Sequence, residues 1–305
     1  MSFSVTILGC NSALPTSARH PAAQVVNVSE RYFLIDCGEG TQMQLRKNRI
    51  QFSKINHIFI SHLHGDHCFG LIGLISTYNL LGRKSDLHLY AHSELEKVLT
   101  PQIEYFCTNL DYKIIYHPTN NVSNSVIYED KHLTVTAIPL LHRIPTCGFL
   151  FREKEKPRHL RKEMIDFYNI PIRELQNIKA GADFISDSGE IVANYRLTTP
   201  ATHSRSYAYC SDTEYSEAII PAIKEVDLLY HEATFLSDLV DIAKKTGHST
   251  AEDAACIAFK ASVKKLIIGH FSSRYKDLSQ FTDEAKKIFP QTELAREGKI
   301  FDIMS

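Results

Sequence analysis

Short apolar runs separated by glycine, proline and asparagine open the chain: Phe3 to Leu8, Gln24 to Val28 and Tyr32 to Ile35 read as strands. Ile58-Phe59-Ile60 is another β-favouring run, and Cys68 to Leu81 reads as one apolar helix. The pattern then alternates, with a strand over Leu87 to Tyr90 and a helix over Glu94 to Phe106, before Lys113 to Tyr116 and Leu133 to Ile138 bring a second β-rich stretch. From Ser206 onward the order is strand, helix (Tyr215 to Glu225), strand (Asp227 to Tyr230), helix, helix (Thr250 to Ala261), strand (Leu266 to Gly269) and helix (Leu278 to Phe289). Two such halves predict two sheets face to face with helices outside, a four-layer αββα sandwich of the α/β class. The letters themselves show no strong internal repeat; the duplication is one of element order.

At 305 residues the chain suits one large unit carrying an insertion. A net charge of −1 and a pI near 6.9 exclude a bulk-basic nucleic-acid binder, so any RNA contact must be local. The seven cysteines (Cys10, Cys37, Cys68, Cys107, Cys147, Cys210 and Cys256) are odd in number, scattered and without a Cys-x-x-Cys pair. That pattern predicts reduced, mostly buried thiols in a cytoplasmic protein. Met1-Ser2-Phe3 passes straight into a strand, which predicts no signal peptide, and no apolar run reaches membrane-spanning length.

The chemistry concentrates in Ser61-His62-Leu63-His64-Gly65-Asp66-His67, on the loop between a predicted strand and a predicted helix. In extended chain His62 and His64 point the same way, while Asp66 and His67 occupy the turn at the helix start. Imidazole and carboxylate donors suit zinc and related divalent ions at roughly 2.0–2.2 Å. His142, Asp212 and His270 each stand just beyond an apolar run, where α/β folds gather functional groups. Taken singly, either histidine reads as a loop residue with a satisfied hydrogen bond, and Asp212 as a helix N-cap before Thr213-Glu214.

With these residues the chain resembles the metallo-β-lactamase superfamily and, within it, the ribonuclease Z family of tRNA 3′-processing endonucleases. The likeness covers Phe3 to Gly9, Leu34 to Gln42, the His62 cluster, His142 with Phe149, Cys210-Ser211-Asp212-Thr213, His231-Glu232-Ala233-Thr234-Phe235, His248-Ser249-Thr250, and His270 to Tyr275. The His62 cluster marks the superfamily; the His231 and His248 segments narrow it. The resemblance implies that Asp36 orients the loop histidines without binding metal. It implies two Zn2+ ions, with Mn2+ or another divalent ion as the alternative. His62, His64, His142 and Asp212 are assigned to one metal, and Asp66, His67, Asp212 and His270 to the other, with Asp212 as the bridge. Asp66 is the implied general base, and His248, oriented by Glu232, the acid. On the residues alone, Glu232 also reads as a helix-start carboxylate and His248 as the neighbour of a Ser249-Thr250-Ala251-Glu252 capping box.

Between positions 152 and 205 the chain leaves and re-enters between two ligand segments, starting with a run that includes Lys154, Lys156, Arg158, Arg161 and Lys162. Charge runs are usually solvated surface. The resemblance implies instead a flexible arm that grips precursor tRNA, although Ile170 to Leu175 lacks the glycine of the family's Gly-Pro-rich centre. Arg274 reads as a phosphate partner or as a surface ion pair. The expected activity is removal of the 3′ trailer from precursor tRNA, leaving a 3′-hydroxyl on the tRNA and a 5′-phosphate on the trailer. The family's short forms are homodimers, which is the expectation carried here. Another hydrolase on the same fold, such as a small-molecule or cyclic-nucleotide phosphodiesterase, is the rival reading.

Overall fold

Strand-length apolar runs satisfy their backbone groups only by pairing with one another. The computed structural model, which describes residues 2–107 and 109–304, pairs them into two seven-stranded sheets. Phe3–Gly9 (β1), Ala23–Val28 (β2), Arg31–Ile35 (β3), Ile55–Phe59 (β4), Leu87–Ala91 (β5) and Ile114–Pro118 (β6) follow one another across the first sheet. Ser125–Glu129 (β7), Leu133–Leu140 (β8), Thr146–Glu153 (β9), Ser206–Cys210 (β10), Leu228–Glu232 (β11), Leu266–Gly269 (β12) and Thr292–Leu294 (β13) form the second. Ile300–Asp302 (β14) returns to pair antiparallel with β1.

Alternation along β4 shows why there are four layers. Phe59 turns into a core that the sheets share with Phe149, Phe151 and Tyr207, while its neighbour Ile58 turns to the opposite face, packed under Leu71, Leu74 and Ile75 of a helix. Phe59 meets Phe149 and Phe151 edge-on at 5.4 and 5.5 Å. Deleting so buried a ring costs about 3–5 kcal/mol.

Several boundaries differ from the sequence reading. The predicted helix over 68–81 is two helices, Gly65–Cys68 and Leu71–Leu80. Gly70 stands at the break, where its N–H bonds Cys37 O at 2.8 Å and a Cβ would come within 2.2 Å of Gly38 O. The helix expected over 215–225 shrinks to a 3-10 turn, Glu217–Ile219, and one α-turn, Ile220–Ile223, with Pro221 in its first turn. The capping box lies one residue later than the letters suggested: Thr250 and Asp253 exchange the bonds, ahead of Ala251–Lys260. Asp212 is not a helix N-cap: the next helical turn, Glu217–Ile219, is capped by Ser216. The sequence reading missed the helix Thr41–Lys47 and the strands β7, β9, β13 and β14.

The chain divides into two compact units, one comprising residues up to Arg152 together with Ser206–Met304, and the other Glu153–Arg205. The second has its own apolar centre of Ile170, Ile178, Phe184, Val192 and Leu197. Its ends are clasped by the buried pair Arg205 and Glu153, at 2.7 Å from Nη2 to Oε1 and 3.0 Å from Nε to Oε2, a two-pronged contact. Burial acts to raise the Glu153 pKa, but Arg205 and Lys156 outweigh it and pull it to about 2.

Candidate metal centre

Every candidate ligand of the first unit sits at or beyond the C-terminal end of a strand. His62 follows β4, His142 follows β8, Asp212 follows β10, and His270 follows β12. The parallel register of β11 and β12 pairs Glu232 with Gly269, which brings the Glu232 carboxylate beside His270. The turns are sharp: Asp36, Asp212 and His270 have φ of 55°, 36° and 62°, in the left-handed region that non-glycine residues occupy at a cost. Such geometry persists only where the surroundings enforce it.

Two donor groups result. In the first, His62 Nε2 and His142 Nε2 lie 3.0 and 3.3 Å from His64 Nδ1, and Asp212 Oδ2 lies 3.5 Å from His62 and 3.9 Å from His142. In the second, His67 Nε2 and His270 Nε2 are 3.3 Å apart. Asp66 Oδ2 is 3.5 and 3.4 Å from them, and Asp212 Oδ1 3.2 and 3.1 Å. Donors at roughly 2.0–2.1 Å from a tetrahedral cation are about 3.3 Å apart. The donor set therefore fits two divalent cations that share Asp212, one oxygen toward each.

The far nitrogens of His62, His67, His142 and His270 are each occupied, which leaves their near ones to face the centre. His142 Nδ1 meets Gly247 O at 2.6 Å, His270 Nδ1 meets Thr234 Oγ1 at 3.0 Å, His62 Nδ1 meets Ser61 Oγ at 3.0 Å, and His67 Nδ1 meets Asp36 Oδ2 at 2.8 Å. Asp36 is buried and also accepts from Ser61 N, Ser61 Oγ and Tyr209 Oη, the last at 2.6 Å. Burial and the neighbouring imidazoles His62 and His142 push His64 down to about 4, so it is neutral at pH 7. Burial also lowers His62 and His142. Asp212 is held well below the carboxylate range, because His270, His67 and His62 outweigh its burial. In the first group these are the protonation states a cation requires, neutral imidazoles around an ionised carboxylate. In the second, Asp212, Asp36 and Asp66 outweigh burial and raise His67 well above the usual imidazole value, so a cation there takes the place of its proton.

Beside this centre, His248 Nδ1 lies 2.8 Å from Glu232 Oε1. Glu232 closes β11 and starts no helix. Its remaining lone pairs accept from Thr213 N at 2.8 Å, Thr234 N at 3.1 Å and Thr234 Oγ1 at 2.6 Å. Burial alone would lower the pKa of His248, but the Glu232 carboxylate and Asp212 overcome it and raise it to about 9. His248 also belongs to a third donor group with Asp212 and His270. Its Nδ1 is 4.0 Å from Asp212 but 2.8 Å from Glu232, so the carboxylate of Glu232 is the partner that orients the ring.

The cleft above the centre, about 450 Å³, is lined by Ser12 to Pro15, Glu39, His64, Gly65, Asp66, Phe69, Arg143, Asp212, His248 and His270. Sequence reasoning missed several residues of this cleft and of the groups that support the ligands. Ala13 N donates to Asp66 Oδ2 at 2.8 Å, from a residue with φ of 53°. Nothing in the letters marks a backbone N–H. Arg143 carried one signal, its place directly after His142. Thr234 lay inside the His231 to Phe235 segment without being singled out, and Tyr209 read only as strand. Arg274 is not in this lining; it lies over the Phe235 ring at 5.1 Å and donates to Ser272 Oγ at 3.2 Å. Lys154, Lys156, Arg158, Arg161 and Lys162 belong to the second unit, where Lys156 pairs with Glu153 at 2.7 Å and Arg158 Nε donates to Thr198 Oγ1 at 2.7 Å.

A family model described as Anti-Pycsar protein Apyc1 matches residues 3–154. Curated relatives match nearly end to end. A Ribonuclease Z of Bacteroides thetaiotaomicron is 54% identical over 301 residues, 99% of this chain and 95% of that protein. One of Phocaeicola vulgatus is 56% identical over 295 residues, 97% of this chain and 96% of that protein. Among solved structures, the short form of human tRNase Z aligns with a TM-score of 0.72 at 27% identity, over 99% of this chain and all of that one. The metallo-β-lactamase fold protein YhfI of Bacillus subtilis, at 19% identity and a TM-score of 0.68 over 99% of this chain and all of that one, shares the fold.

Proposed function

This chain belongs to the ribonuclease Z family, and from that premise we propose that it is the endoribonuclease that removes the 3′ trailer from precursor tRNA. The observation that carries the reading is the pair of donor groups sharing Asp212, with the His248–Glu232 pair alongside. The metal is divalent; we assign Zn2+ on the mixture of imidazole and carboxylate donors. Two such ions supply Lewis acidity toward a phosphoryl oxygen and ease the deprotonation of an attacking water. Asp66, aimed by the Ala13 N–H, takes the water's proton. His248, charged through Glu232, gives its proton to the departing 3′-oxygen of the tRNA, so the phosphate stays on the trailer. Asp36, Ser61, Thr234 and the Gly247 carbonyl hold the ligand imidazoles in the tautomer that faces the centre.

The inserted unit, residues 153–205, is assigned as the tRNA-gripping element, with Lys154, Lys156, Arg158, Arg161 and Lys162 as backbone contacts and Arg274 as a further one. The homodimer reading has a physical support in Leu80, Tyr105 and Phe106, large apolar side chains exposed on two helices of the first unit that pack on each other. No helix among the described residues is long and apolar enough to cross a membrane, and with seven free cysteines this supports a cytoplasmic enzyme.

The test is cleavage of an end-labelled precursor tRNA beside bis(p-nitrophenyl) phosphate, for the wild type and for a protein with Lys156 to Thr199 replaced by a short linker. The wild type is expected to cut the precursor near its acceptor end, and the shortened protein to lose that activity while retaining hydrolysis of the small diester. A wild type that leaves the precursor intact but hydrolyses the diester establishes the small-molecule phosphodiesterase reading instead.

A further inference from the structure

Phe69 is 65% exposed, a large ring left in water on the loop that carries the metal-ligand candidates. Its position is fixed from beneath, since a Cβ on Gly65 would come within 2.2 Å of the ring, so the ring lies directly against the backbone next to Asp66. Phe69 and Glu39 line the cleft over the metal centre, and the same two residues line a neighbouring cavity of about 380 Å³. That cavity is walled by Leu63, Leu71, Ile72, Leu95, Val98 and Leu99. It shares Phe69 and Glu39 with the reaction cleft, is apolar apart from Gln102, and is edged by one carboxylate. A phosphate is repelled by such a surface, whereas a planar uncharged ring system is taken up by it.

We propose that Phe69 and the cavity beside it form a subsite for the base of the first trailer nucleotide, stacked on the exposed ring. This rests on the tRNA-processing reading above. The choice of nucleotide follows from the proton transfers: His248 serves the departing 3′-oxygen, so the last tRNA nucleotide lies on the His248 flank of the phosphate. Phe69, packed against Gly65 beside Asp66, stands away from that flank, which leaves the first trailer nucleotide as the neighbour its ring can reach. Base stacking on an aromatic face is tolerant of sequence because every base offers one, so the subsite recognises that an unpaired base is present there rather than which base it is.

The experiment compares KM and kcat for three precursor tRNAs: unmodified, abasic at the first trailer nucleotide, and abasic at the last tRNA nucleotide. Wild type, Phe69→Leu and Phe69→Tyr are measured, with bis(p-nitrophenyl) phosphate hydrolysis recorded alongside as a check that each protein has an assembled centre. The trailer-abasic substrate is expected to raise the wild-type KM about tenfold. In Phe69→Leu the intact and trailer-abasic precursors should show the same raised KM, and Phe69→Tyr should restore the difference. A wild type indifferent to the missing trailer base overturns the proposal without needing any variant. So does a penalty that survives undiminished in Phe69→Leu. Loss of the penalty for the last tRNA nucleotide instead overturns the assignment of the base. If Phe69→Leu changes only the self-association of the protein, the cavity belongs to a second copy of the chain and the proposal falls. Failure to cut the unmodified precursor at all is the failure of the underlying reading, and is distinct from each of these.

Discussion

Tyr209 shows how much one hydroxyl decides. It stands on β10 of the second sheet, yet its Oη donates at 2.6 Å to Asp36, which follows β3 of the first and holds His67 in its tautomer. A hydrogen bond to a buried carboxylate is worth about 1.5–3 kcal/mol. Tyr209→Phe keeps the ring and removes only the donor. Its metal affinity should fall about 10–100-fold, the range for lost partners of ligand imidazoles, as read by titration against a chelator of known affinity. Unchanged metal affinity in a folded Tyr209→Phe protein rejects the role. Glu232→Gln tests the acid. The Glu232 carboxylate holds the His248 pKa up, to about 9, and the acid form exists below that pKa. Removing the negative charge lowers the pKa, so the alkaline fall of kcat should move to lower pH. An alkaline limb that stays in place assigns it to another group.

Among the elements, most strands were legible where one face alternated with the other or ran apolar, and three of the four that were missed close an edge; the fourth, β9, is buried inside its sheet, its apolar run broken by Gly148 and ending on Arg152-Glu153. β13 and β14 are three residues each, too short for any period to show, and β7 is an edge strand of half-buried positions. The broken helix at Phe69-Gly70 follows from the packing of Gly70 on Cys37 and Gly38, a contact between distant segments. The inserted unit was read from its charge run and by resemblance; its centre of five buried apolar residues was not, because they are spaced too irregularly to announce themselves. Its ends are held by Glu153 and Arg205. Removing one partner of a buried, two-pronged pair leaves the other unpaired. Arg205→Leu should therefore speed limited proteolysis within 153–205 several-fold, measured by cleavage-site mapping. Cleavage no faster than in the wild type shows that the apolar centre holds the unit without the clasp.

For the molecule as a whole, stability carries a pH signature away from the metal centre. His57 packs between Phe33, His88 and Tyr128, with ring centres 5.7, 4.9 and 4.8 Å away. Its Nδ1 meets Tyr90 Oη at 3.4 Å, and His88 Nδ1 meets His117 Nε2 at 2.9 Å. Burial first, then the neighbouring imidazoles His88 and His117 and the guanidinium groups of Arg83 and Arg31, lower its pKa from 6.5 to about 4. The folded chain therefore keeps this ring neutral after the unfolded chain has taken up its proton. Stability is unaffected above about pH 6.5, declines as pH falls, and the loss from this group is complete near pH 4. At roughly 1.4 kcal/mol per pH unit, the loss is at most about 3.5 kcal/mol. His57→Phe should flatten the acid limb of a stability curve from urea melts between pH 7 and 4; an unaltered limb removes His57 as its source.

The sequence by itself determined the two-halved order of strands and helices, because side-chain periodicity is a local property of the chain. It also determined which imidazoles and carboxylates were candidates, because a His-x-His-x-Asp-His run and lone His or Asp residues after apolar strands are visible in the letters. The division of those candidates into two groups was implied by the resemblance, but its physical basis lies only in the tertiary structure. Asp212 presents one oxygen to His62 and His142 and the other to His67 and His270, and that sharing depends on two sheets meeting. The same is true of the groups that hold the ligands: the Ala13 N–H on Asp66, the Gly247 carbonyl on His142 and the Tyr209 hydroxyl on Asp36 come from positions 53, 105 and 173 residues away. A backbone N–H or carbonyl is chemically the same at every position of the chain. Its use is fixed only when folding brings it within hydrogen-bonding distance of a particular side chain.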